Sequence, residues 1–141
     1  MSQVLYDIDF YEWTTETARL LREGRLTETD IEHIAEEIED LGKRDARELQ
    51  TCLMRIMEHL LKLQYAEGSM LALNCRLWES SIARHRIQIE VLLADSPSLR
   101  RKLHGMMPAA YRRAVRIAKT IATKPIPAEC PFSLEQLLSD N

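Results

Sequence analysis

The sequence is poor in the residues that interrupt helices, with only four glycines and five prolines among 141 positions. Strict apolar–polar alternation is also missing, which removes the main signal for strands. No stretch approaches the apolar length of a membrane span. The start, Met1-Ser2-Gln3-Val4-Leu5-Tyr6-Asp7, lacks the basic region and apolar core of a secretory signal. A cytoplasmic protein without a membrane partner is the expectation. The three cysteines, Cys52, Cys75 and Cys130, are odd in number and form no C-x-x-C, so neither a disulfide framework nor a structural zinc site is expected. Walker, Rossmann and Gly-x-Ser-x-Gly patterns are absent too. No cofactor follows from the residues, and catalysis is the lesser expectation.

What is present is 45% apolar residues at helical spacing, enough for one core in one domain over 1–141. Asp9 is a good N-cap for a first helix carrying Phe10, Trp13, Thr17, Leu20 and Leu21 on one face, ended by Gly24. Thr27-Glu28-Thr29-Asp30 resembles a capping box. The pattern Ile31, Ile34, Ile38, Leu41 continues through Ala46, Leu49, Leu53, Ile56, Leu60 and Leu63 without a proline, which predicts one helix to about Glu67-Gly68. Its first half has a narrow apolar stripe that needs cover from elsewhere, while its second half is apolar nearly all round. Gly42, inside this pattern, predicts the close approach of another helix.

Asn74 is read as the N-cap of a third helix burying Leu77, Trp78, Ser81, Ile82, His85, Ile89, Leu92 and Leu93. Ser96-Pro97 opens a fourth, with Leu99, Leu103, Met107, Ala110, Ala114, Ile117 and Ile121 inside and Pro108 kinking or splitting it. After the extended Lys124-Pro125-Ile126-Pro127, Ser133 caps a short last helix. The fold expected is an all-α antiparallel bundle of four main helices, one very long, plus a short C-terminal helix.

Net charge is only −3, yet it is unevenly placed. From Glu28 to Asp40 the ionisable residues are acidic apart from His33, and between Pro97 and Lys124 no acid occurs. Solvated helix faces that complement one another are the plain reading. A sharper one is a nucleic-acid face on the fourth helix, where Arg101, Arg112, Arg116 and Lys119 fall on one stripe. The acidic pI and the lack of interleaved aromatics argue against a dedicated binder. For a metal, the bundle offers Glu37, Asp40, His59 and His85 as weak candidates, without the Glu-x-x-His of di-iron bundles. Trp13, Trp78 and Tyr111 are candidates for interaction, the two tryptophans as core or interface anchors.

Several strings, in order, resemble the bacterial family known as domain of unknown function 29. They are Asp9-Phe10-Tyr11-Glu12-Trp13, Ala35-Glu36-Glu37-Ile38-Glu39-Asp40-Leu41-Gly42, His59-Leu60-Leu61-Lys62-Leu63-Gln64-Tyr65, Ser96-Pro97-Ser98-Leu99-Arg100, Tyr111, and Cys130-Pro131-Phe132-Ser133-Leu134-Glu135-Gln136-Leu137-Leu138. The resemblance implies an α-helical single domain and no established activity. It marks Glu37, Asp40, His59, Trp78 and Tyr111 as motif positions. Leu63 stands where the pattern has tryptophan, and Glu79 where it has arginine. The expectation for function is a helical interaction module, self-associating because the long helix overhangs its neighbours. A nucleic-acid-associated protein is the alternative, and a metal-dependent bundle enzyme the third.

Overall fold

Short side chains that satisfy open backbone donors set the starts of three helices. In the computed structural model, which describes residues 2–139, the Asp9 carboxylate accepts from the backbone N–H of Glu12 at 3.0 Å. Helix α1 spans Ser2–Ile8 and α2 spans Phe10–Glu23, ended by Gly24 at φ 68°, a left-handed conformation that costs a Cβ-bearing residue more. Helix α3 covers Glu28–Tyr65. Its start is a reciprocal box: the Thr27 hydroxyl accepts from the Asp30 N–H at 3.2 Å, and Asp30 accepts from the Thr27 N–H at 3.1 Å.

Helix α4, Gly68–Asp95, begins six residues before the cap expected at Asn74. Asn74 lies inside the helix, where its amide donates to the Met70 carbonyl at 2.8 Å instead of closing an N-terminus. Pro97–Lys102 forms a 3-10 turn that leads into α5, Leu103–Ala118. Ser96 makes no capping bond through its side chain, and α5 runs through Pro108 without being split. Ile121 falls in the turn beyond α5. The last helix, α6, spans Leu134–Leu138 and carries the full capping box between Ser133 and Gln136. The described residues are all-α, with no strand among them.

The chain divides into two compact units, Met1–Arg44 and Asp45–Asn141. In the second, α3 contributes Leu49, Leu53, Ile56, Met57 and Leu61 to a single apolar cluster, the i, i+3, i+4 spacing of one helix face. Cys52 of α3, Ile82, Ile89 and Leu93 of α4, Leu99 of the 3-10 turn, Leu103, Ala110, Tyr111, Ala114 and Ala118 of α5, and Phe132 and Leu137 complete it. Each large aliphatic side chain buried this way supplies about 1.5–3 kcal/mol. The tail is pinned by polar bonds as well. Arg86 donates to the Leu137 and Gln136 carbonyls at 3.0 and 2.9 Å, at the C-terminal end of α6, and the Tyr111 hydroxyl donates to the Pro127 carbonyl at 2.6 Å.

The first unit is built differently. Among its described side chains only Trp13, Thr17 and Asp30 are buried. Ile31, Ile38 and Leu41 of the narrow stripe remain exposed, and nothing lies within 4 Å of where a Gly42 Cβ would stand. The close helix approach expected at Gly42 is therefore not made among the described residues.

Candidate functional site

The three candidate interaction aromatics are interior residues. Trp13 and Tyr111 are 3% exposed and Trp78 is 7% exposed. Trp13 joins Tyr6, Phe10 and His33 in a ring cluster: Tyr6 stacks on His33 with centroids 4.1 Å apart and meets Trp13 edge-on at 4.7 Å. The Tyr6 hydroxyl donates to Glu37 at 2.5 Å, and this bond to a carboxylate pushes the phenol up to about 12. Glu37 is thus engaged by a tyrosine, and Asp40 is exposed. The buried Trp13 Nε1 and His33 Nδ1 have no hydrogen-bond partner among the described residues.

The candidate metal ligands are not assembled. No group of three His, Cys, Asp or Glu able to hold an ion occurs among the described residues. His85 uses Nδ1 on its own helix, 2.7 Å from the Ser81 carbonyl and 3.2 Å from its hydroxyl. His59 Nδ1 is buried without a partner. Burial holds His59 below its ordinary value, helped by the nearby Lys62, His85 and Arg55 and opposed by Glu58.

A polar cluster that sequence reading missed surrounds Glu58, which is 3% exposed although charged. Burial disfavours its ionisation, but hydrogen bonds from Lys62 at 2.7 Å and Arg55 at 3.0 Å prevail and keep it a carboxylate. Lys62 Nζ also sits 5.8 Å from the Trp78 ring centroid. The signal was present on α3, where Arg55 stands three residues before Glu58 and Lys62 four after it. None of Arg55, Glu58 or Lys62 lines any of the five principal clefts. The arrangement is an internal ion pair whose loss of one partner would strand a buried charge.

The predicted basic residues Arg101, Arg112, Arg116 and Lys119 are all exposed. They do not form one stripe of one helix, because Arg101 belongs to the 3-10 turn. Arg112, Arg116 and Lys119 line a cleft of about 410 Å³ with Val115, Ile126 and Pro127. Among the described residues none of these cations forms an ion pair, whereas Lys124 is 3.2 Å from Glu67. The face carries three exposed cations beside a cleft.

A second open surface runs along α4. Leu77, expected inside, is 68% exposed, and Met70, Leu73, Ile87 and Val91 are exposed with it. Trp78, Ile82, Ile89 and Leu93 take the buried side of the same helix. Helix α4 is therefore apolar on two faces, and only one of them is used by the core.

The family described as "Domain of unknown function DUF29" matches residues 5–141, and the chain belongs to that family. No curated protein and no solved structure matches the chain. No helix among the described residues is long and apolar enough to cross a membrane.

Proposed function

We propose that this member of the DUF29 family is a cytoplasmic interaction module that self-associates and works through its surface instead of through catalysis. The observation that carries the reading is the exposed apolar surface: among the described residues twelve large apolar side chains are between 43% and 80% exposed, five of them on α4. Single exposed apolar residues are ordinary, but a row of them along one helix marks a contact surface. Light scattering of the full chain across micromolar concentrations tests it, with a dimer or larger assembly expected. A monomer throughout that range overturns self-association.

The second reading, association with nucleic acid, is favoured by one specific observation, the unpaired cations Arg112, Arg116 and Lys119 beside a cleft. A face of this kind acts by displacing counterions from phosphates, so its affinity must fall steeply with salt. Reversing Arg112 and Arg116 to glutamate is expected to lower binding to a mixed-sequence duplex. Binding indifferent to salt and to both reversals rejects this reading.

A further inference from the structure

We infer that the open face of α4 is covered by α4 of a second copy, packed antiparallel about a two-fold axis that passes between Ser80 and Arg84. This rests on the self-association reading and specifies its surface. Met70, Leu73, Leu77, Ser80, Arg84, Ile87 and Val91 are all exposed and follow one another at alternating spacings of three and four residues. That is the a/d repeat of a helix–helix seam, and it keeps one edge facing a partner over roughly 30 Å. The exposed groove beside it, about 540 Å³ and lined by Leu60, Leu63, Ala83 and Ile87 among others, extends the apolar surface towards α3. Five largely exposed side chains of this size offer roughly 500 Å² per copy, so a pair buries on the order of 1,000 Å², the lower bound for a specific interface.

The direction follows from the charges. A parallel in-register pair sets Arg84 against Arg84 in the middle of the seam and brings Glu90 opposite Asp95, both like-charge contacts. The antiparallel pair centred at position 82 sets Leu73 against Val91 and Leu77 against Ile87, each twice by symmetry. The two polar seam positions then meet each other, with the Arg84 guanidinium able to donate to the Ser80 hydroxyl of the second copy. In this register Arg76 on the seam's flank faces Glu90 of the second copy, again twice. Within the chain neither Arg76 nor Glu90 takes part in an ion pair among the described residues, so both are available. Polar residues placed once in an apolar seam select register and direction.

Sedimentation velocity on the full chain tests the pairing. The wild type is expected to dimerise in the micromolar range, and Leu77→Glu with Ile87→Glu to give a monomer of unchanged helical circular dichroism, because both side chains are exposed in the single chain. Arg76→Glu is expected to weaken the dimer on the order of tenfold, and adding Glu90→Arg to restore it. A dimer that survives the double glutamate variant overturns the α4 seam while self-association stands. Loss of the dimer without rescue by the charge swap overturns the antiparallel register. A wild-type monomer at every concentration overturns both this inference and the reading beneath it, and leaves a helix of another protein as the occupant.

Discussion

Residues 45–139 bury seventeen side chains in one apolar cluster, while the described side chains up to residue 44 bury three, of which only Trp13 is apolar. Both regions are helical and both draw on α3, so helix formation by itself does not distinguish them. The second unit is held by contacts between residues far apart in sequence. The first is held by local devices, the Asp9 and Thr27 caps and the glycine at the end of α2, and by one ring cluster that joins Tyr6, Phe10 and Trp13 to His33. Local devices of this kind supply about 1 kcal/mol each, less than one buried leucine. The first unit should therefore open before the second.

The largest effect is expected at the centre of the second unit. Leu53→Ala removes a fully buried side chain and should cost about 3 kcal/mol in urea-induced unfolding. A change under 1 kcal/mol would show that this cluster is not the main support. Trp13→Ala should cost less, because few side chains are buried around it, and should act only locally. Hydrogen exchange is expected to lose protection in α1, α2 and the start of α3 while α4 and α5 keep theirs. Loss of protection in both regions together would break the comparison and make the molecule one cooperative unit.

A third test uses protons. Because burial lowers the folded-state pKa of His59 below 6.5, the folded state binds fewer protons than the unfolded state in that window. The stability this contributes is present above pH 6.5 and is lost as pH falls through the lowered value. Glu58, held ionised to below its ordinary value of 4.5, keeps its contribution in that window. His59→Gln should flatten the difference between urea midpoints at pH 7.5 and 5.5, and an unchanged difference would assign the proton uptake elsewhere. The smallest effect is a gain. Gly42→Ala meets no atom within 4 Å on an ordinary helical backbone and should stabilise the first unit by about 0.5–1 kcal/mol, without altering dimerisation through α4. If it disrupts the dimer, the seam lies on α3.

Much of the helix map was legible because its causes are local. Asp9, Gly24, Thr27 and Ser133 act on backbone groups within three or four residues, and each does what its type and position predict. Asn74 misleads for the same reason: its amide serves a carbonyl four residues back as readily as it serves an N-terminus. Helix α1 is too short for periodicity to register, and Asp9 hides it by starting α2. Leu77 reads as an inward residue because α4 carries apolar residues on two faces, and spacing alone cannot say which face meets the core. Glu58 and Lys62 were readable as an i, i+4 pair, but their burial depends on what packs over them.

The residues alone determine that the chain is helical, where most helices start and stop, and that charge is segregated between Glu28–Asp40 and Pro97–Lys124, since these depend on backbone preferences and order along the chain. Tertiary structure decides which apolar face is spent on the core and which stays open, that the three aromatic candidates are interior, and that Glu58 becomes a buried ion. These are outcomes of competition between distant segments for the same surface. The open seam on α4 is what that competition leaves unused.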